Sequence, residues 1–201
     1  FGEFDPPDTP SEIADFARAN FSLLDQLGIT EPVDVMGYHT GSLTAMEMAR
    51  QQPERIRRLV LVSAAMFTEK EFAEMKVEFA PQPLHEDGQH LVDLWQELRL
   101  WRDPAQSLEA TQWNFAEQLR GGQTAWWGHR AAFNYPREDV LPKLSLPILI
   151  LNPEDDLFEY TKRAAPLLQN GRVHNLPGWS HGFLDIHTTE VAKLLRNFLD
   201  S

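Results

Sequence analysis

The chain has no cysteine among its 201 residues. That excludes disulfides and a thiol nucleophile, and it fits a reducing compartment. No apolar run approaches the roughly 20 residues of a membrane span, and no basic-then-apolar stretch of the secretory kind opens the chain. Basic residues are few: 18 Lys and Arg stand against 30 Asp and Glu, a formal net charge of −12, and no basic run is longer than Arg57-Arg58. Such a surface suits neither nucleic acid nor an anionic membrane. The expected setting is cytoplasmic and the expected partner a small-molecule substrate. An initiator Met is also lacking: Phe1-Gly2-Glu3-Phe4 reads as loop, so a lost N-terminal segment is expected.

What is present is an ordinary globular composition, 42% apolar, enough for one core with an inserted subdomain. The most informative stretch is Val33-Asp34-Val35-Met36-Gly37-Tyr38-His39-Thr40-Gly41-Ser42. It reads as a short buried strand, a tight turn framed by two glycines, and the start of a helix. Ahead of it, Thr9-Pro10-Ser11-Glu12 carries the marks of a helix start, and Ile13, Phe16, Ala17, Phe21, Leu24 and Leu27 follow helical spacing up to Gly28. Beyond it, a helix over 40–51 is stopped by Pro53, and Arg58–Ser63 is apolar enough for a strand buried on both faces. Strand, helix and strand in this order make a right-handed βαβ unit and hence a parallel sheet.

Residues 66–140 change character. Helical segments crowd together over 69–79, 86–101, 105–119 and 124–134, and five of the six tryptophans lie here, expected to pack helices together. Strand signals return at Pro147–Asn152, followed by the acidic turn Glu154-Asp155-Asp156, a helix over 160–168 and a strand near 172–176. The loop Pro177-Gly178-Trp179-Ser180-His181-Gly182 and a last helix over 189–199 complete the chain. Three parts follow: a core part over 1–65, a helical cap over 66–140, and a second core part over 141–201.

Gly37-Tyr38-His39-Thr40-Gly41 resembles the nucleophile elbow of the α/β-hydrolase fold, with His39 where Ser, Cys or Asp is usual. Leu151–Asp156 is similar to that family's acid turn and Leu176–Gly182 to the loop carrying its catalytic His, in the family's order of nucleophile, acid and base. The resemblance implies an α/β fold: a partial α/β-hydrolase parallel sheet of about four strands flanked by helices, with a helical cap insertion and the N-terminal strands missing. The elbow strand would then be an exposed edge, open to self-association or to the missing segment. It also implies hydrolysis of a small, largely apolar ester, amide or related substrate without a cofactor. His181 would be the base, Asp156 its orienting acid, and Thr40 N–H an oxyanion donor.

His39 leaves three chemistries open. It can be the nucleophile itself, because a neutral imidazole needs no deprotonation and acyl-imidazoles hydrolyse readily. It can be a binding or polarising group while His181 and Asp156 activate water or take a proton from substrate, as in a lyase. Or the site has decayed into a ligand-binding or interaction module. Retention of both elbow glycines with Asp156 and His181 favours a hydrolase. No metal is expected, since Asp156 behind His181 leaves only two clear ligands, His39 and His181. Tyr38, Trp126, Trp127, His129 and Trp179 are candidate pocket residues, with Tyr135 beside them in the cap. Asp155 is expected to be solvated or capping, and Ser42 to bond to backbone. Ser63 ends the second strand with no carboxylate beside it, and the remaining histidines read as surface or packing residues.

Overall fold

The computed structural model describes residues 7–80 and 83–201, with Gln123 described in its backbone alone. The opening loop expected at Phe1–Phe4 lies outside them. Helix α1 (Ile13–Gln26) leads to strand β1 (Val33–Tyr38), helix α2 (Thr40–Gln51) and strand β2 (Ile56–Val62). Among the described residues five helices follow without a strand: α3 (Glu69–Glu78), α4 (Gln89–Leu100), α5 (Leu108–Arg120), α6 (Trp127–Asn134) and α7 (Arg137–Val140). Strand β3 (Ile148–Pro153), helix α8 (Phe158–Lys162), strand β4 (Gly171–Leu176) and helices α9 (Phe183–Ile186) and α10 (Thr188–Leu199) end the chain.

The four strands form one parallel sheet in the order β1-β2-β3-β4, so the elbow strand is an edge, as the family resemblance implied. The near-continuous apolar runs of β2 and β3 reflect burial on both faces. Leu59, Leu61, Ile148 and Ile150 join Ile13, Phe21, Leu43 and Met46 in one core cluster. The alternate residues Val60, Val62, Leu149 and Leu151 join Phe183, Val191 and Phe198 in another. Each such side chain contributes about 1.5–3 kcal/mol when fully buried. β1 is covered less well, and Met36 is 40% exposed on it.

Several boundaries differ from the sequence reading. α1 starts at Ile13, not near Thr9. The Asp15 carboxylate accepts the Glu12 N–H at 2.8 Å, and Arg130 of α6 donates to the Glu12 carboxylate at 2.8 Å, so the cap sits at Glu12. α8 ends at Lys162 because Pro166 lies in a separate 3₁₀ turn, Ala165–Leu167. In the segment between β2 and β3 the helices divide into two kinds. α3 and α4 bury no residue and α5 buries only Thr111, whereas Ala131, Ala132, Tyr135 and Val140 belong to the first core cluster. The tryptophans divide too: Trp95 packs edge-on against Phe115, with centroids 5.7 Å apart, but Trp113 is 66% exposed. Among the described residues no helix is long and apolar enough to cross a membrane.

Candidate active site

The elbow begins where β1 runs out beside β2. The His39 N–H donates to Val62 O at 3.0 Å and the Ser42 N–H to His39 O at 2.9 Å, so the chain reverses within four residues. The reversal holds His39 at φ 49°, ψ −116°, a region that residues with a Cβ rarely adopt. The two framing glycines are not equivalent. A Cβ on Gly37 would lie 2.1 Å from the Gly41 carbonyl oxygen, whereas one on Gly41 would meet nothing within 4 Å. Ser42 is fully buried, with Oγ 2.9 Å from Gly37 O and 2.8 Å from Val62 O while accepting the Val62 N–H at 3.0 Å. It bonds to backbone, as expected. Thr40 opens α2, where the first N–H groups of a helix have no intrahelical acceptor. Its donor therefore sits directly after His39.

The acid turn after β3 supplies two carboxylates rather than one. Asp156 Oδ1 lies 2.8 Å from His181 Nε2. Asp155, expected to be solvated or capping, is buried: its Oδ2 lies 3.2 Å from His39 Nε2 and accepts the Ser63 hydroxyl, while Oδ1 accepts the Leu157 N–H at 2.9 Å. Asp155 is therefore not solvated, and it does not cap α8, whose N-cap is Leu157; its bond to the Leu157 N–H closes the turn instead. Consecutive side chains in the tight turn point to different partners, so each histidine has its own aspartate. Ser63, at φ 55°, is the group that turns Asp155 inward. The sequence offered no sign of this beyond Ser63 standing at the end of a buried strand.

The loop bearing His181 is fixed from two sides. Towards the acid turn, the Glu154 N–H donates to Trp179 O at 2.7 Å and the Gly178 N–H to Glu154 Oε2 at 2.9 Å. Towards the helical segment, the His181 N–H donates to Trp101 O at 3.1 Å and the Asp103 N–H to His181 O at 2.7 Å, a short parallel bridge. Buried Asp103 strengthens that bridge by accepting from the Ser180 N–H and His187 Nε2, each at 3.2 Å. Sequence reasoning missed this join, since nothing in Trp101-Arg102-Asp103 marks it as a partner of a loop some 80 residues away.

The rings of His39 and His181 lie 5.0 Å apart between centroids. Tyr38 closes the group: its hydroxyl is 3.0 Å from His181 Nδ1, and its ring meets that of His39 edge-on at 4.6 Å. Burial, then the charges of Asp155 and Asp156, push the Tyr38 phenol well above its ordinary value, so it stays protonated and can donate to neutral His181. Burial alone would lower the His181 pKa, but the hydrogen bond and charge of Asp156, followed by the charges of Asp155 and Glu97, outweigh it and raise the pKa. Burial likewise opposes ionisation of Asp156, yet the His181 hydrogen bond and the charge of His39 hold its carboxyl below the usual range. Glu97, exposed on α4, is raised by desolvation from its neighbours and then by the charge of Asp156. Desolvation by its neighbours, then the charge of His39, lowers the pKa of His129, an exposed residue of α6, so α4 and α6 both face this site electrostatically.

Of the candidate pocket residues, Tyr38 is in the site as a hydrogen-bond partner. His129 stands on α6 with its ring against Phe79, and Trp126 and Trp127 lie half-buried at the start of the same helix. Trp179 does not line the site: its indole stacks on the His187 ring at 4.2 Å and on Phe183 at 5.9 Å. Tyr135 does not either, because its hydroxyl donates to buried Glu47 at 3.0 Å. One ligand-type atom from each of His39, Asp155, Asp156 and His181 lies within 4.8 Å of every other, four donors where two had been expected.

Residues 2–158 match the family model described as the alpha/beta hydrolase fold. The chain belongs to that family. Among curated proteins, homoserine O-acetyltransferase of Thermus thermophilus is 42% identical over 55 residues, 27% of this chain and 14% of that protein. A bifunctional esterase/perhydrolase of Acinetobacter calcoaceticus is 33% identical over 88 residues, 41% of this chain and 32% of that protein. The matched segments thus span less than a third of either relative. A thermophilic esterase of Thermogutta terrifontis superposes over 100% of this chain and 76% of its own with a TM-score of 0.80, at 18% sequence identity. That likeness concerns the fold.

Proposed function

We propose that this alpha/beta hydrolase cleaves a small, largely apolar ester or related acyl compound through His39. The observation that carries the reading is the pairing of His39 with its own buried aspartate, 3.2 Å from Nε2. With Nε2–H donated to Asp155, the lone pair of the neutral ring resides on Nδ1, for which no partner is found among the described residues. Nδ1 attacks the acyl carbon, and the carbonyl π pair moves to oxygen, which Thr40 N–H is placed to receive. Collapse expels the alcohol oxygen. Its proton comes from the Tyr38 hydroxyl, which is replenished by Nδ1–H of protonated His181. Asp155 offsets the charge on the acyl-imidazolium. Water then attacks the acyl carbon, gives its proton back to His181 through Tyr38, and releases neutral His39.

The raised His181 pKa supports this cycle, because the group must be a proton donor in the first half and an acceptor in the second. Helices α3–α6, with Glu97 and His129 facing the site, are read as the cap that shapes the acyl pocket. The esterase among the partial relatives supports the substrate class. The test is hydrolysis of p-nitrophenyl acetate and butyrate by the wild type, His39→Ala, His39→Ser and His181→Ala, with mass spectrometry of the quenched protein. An acyl adduct on His39, and loss of turnover in both alanine variants, is expected. Activity gained only in His39→Ser would sink the proposal.

A further inference from the structure

The sheet brings together two imidazoles and two carboxylates at the ends of β1, β3 and the loop after β4: His39, Asp155, Asp156 and His181, with one donor atom of each within 4.8 Å of all the others. We infer that these four residues form a binding site for a divalent first-row transition cation, a site distinct in kind from the hydrolytic chemistry proposed above.

The geometry fits a single ion. Four ligands placed about 2.0–2.2 Å from a metal lie about 3.0–3.6 Å apart between neighbours and about 4.2 Å apart across an octahedron. The pairs His181 Nε2 to Asp156 Oδ1 at 2.8 Å and His39 Nε2 to Asp155 Oδ2 at 3.2 Å already lie near the neighbour spacing. The ceiling of 4.8 Å for the remaining pairs needs only small side-chain rotations to reach the longer one.

The surroundings of His181 and Asp155 fit as well. Metal-binding imidazoles engage a fixed partner through the second ring nitrogen, and metal-binding carboxylates are themselves hydrogen-bonded. His181 turns Nε2 towards the carboxylates and Nδ1 towards the Tyr38 hydroxyl, 3.0 Å away. Asp155 is held by the Ser63 hydroxyl and the Leu157 N–H, and its side chain is fully buried, unlike the acidic groups that crowd a solvated surface. The two carboxylates of the cluster supply the anionic ligands that a dication takes. The ligand set selects the metal. Two imidazoles disfavour Ca²⁺ and Mg²⁺, which take oxygen ligands, and the absence of thiolate points to Zn²⁺, Co²⁺, Ni²⁺, Fe²⁺ or Mn²⁺ rather than to Cu⁺.

Occupancy has a chemical consequence that rests on the hydrolytic reading, whereas the site itself does not. A neutral imidazole has one lone pair. When Nε2 of His39 donates it to a cation, Nδ1 carries the proton and cannot attack an acyl carbon. Metal binding and acyl transfer at His39 therefore exclude each other.

Chelator-treated protein titrated with Co²⁺ tests the site without reference to activity. The expected result is saturation at one equivalent with visible d–d absorption, displaced by Zn²⁺. Affinity should fall at least tenfold in His39→Ala, His181→Ala and Asp156→Asn, each checked by circular dichroism for native helix content. Absence of saturable absorption, or affinity unchanged in the folded variants, would overturn the site. In the ester assay, Zn²⁺ should suppress turnover in proportion to occupancy. Turnover unaffected by full occupancy would overturn the exclusion while leaving the measured site intact.

Discussion

The backbone at His39 should reverse the usual order of glycine and alanine. In most positions Gly is less stable than Ala by about 0.5–1 kcal/mol, because the unfolded chain has more freedom to lose. At φ 49°, ψ −116° the Cβ of any other residue crowds the neighbouring carbonyl, at a cost of about 1–3 kcal/mol that Gly does not bear. His39→Ala and His39→Gly remove the same side chain, and both leave Asp155 with the Ser63 hydroxyl and the Leu157 N–H, so the loss of the imidazole cancels in the comparison. The balance favours Gly by about 1 kcal/mol, or about 2–4 °C in Tm for a chain of this size. Both variants should be devoid of ester turnover. Differential scanning calorimetry, with urea unfolding as a second measure, reads the difference directly. A His39→Gly variant equal to or less stable than His39→Ala would refute the claim that the turn holds strain.

Three other outcomes follow from the same geometry. The His181 ring protons, followed by NMR, should titrate above the ordinary value of about 6.5 and move down in Asp156→Asn. Because the folded pKa is the higher one, the stability this pair contributes is complete below the unfolded value and is lost as pH rises through the folded value, so the gap between wild type and Asp156→Asn should narrow with rising pH in that window. Ser42→Ala should lower stability by about 1–3 kcal/mol, because buried backbone groups lose a partner, and a fluorophosphonate probe should label neither it nor the wild type. The 1–201 polypeptide should self-associate through the β1 edge, and Met36→Lys should shift light scattering towards monomer; a wild type that is monodisperse at high concentration would count against the edge as a pairing surface.

The parts of the fold legible in the sequence are those where one physical demand dominates. Arg58–Ser63 and Pro147–Asn152 could be read as strands because burial on both faces leaves no place for polar residues. Gly37 could be read as a turn residue because the Gly41 carbonyl fills the space of its Cβ. Where two similar demands compete, the letters do not decide. Thr9 suits an N-cap by its type, yet the cap sits at Glu12, and the contact that holds Glu12 comes from Arg130, 118 positions away. Asp155 and Asp156 are chemically identical neighbours, and only the path of the turn sends one to His39 and the other to His181. Residue type alone makes Trp179 and Tyr135 pocket candidates, whereas stacking on His187 and a bond to buried Glu47 take them elsewhere.

Position 39 therefore cannot be judged as a single exchanged letter. A serine there would leave Asp155 beside Asp156 in a buried turn, with only a hydroxyl and one N–H as partners. The imidazole supplies the third partner, and the positive charge it can develop also holds Asp156 in its ionised form. His39 and Asp155 are thus one unit, and His181 and Asp156 another, set 5.0 Å apart. In such a pair of units every ring nitrogen except His39 Nδ1 already has a partner among the described residues. The chemistry of the site reduces to where the single lone pair of His39 resides: on Nδ1 it is a nucleophile, and on Nε2 it is a ligand.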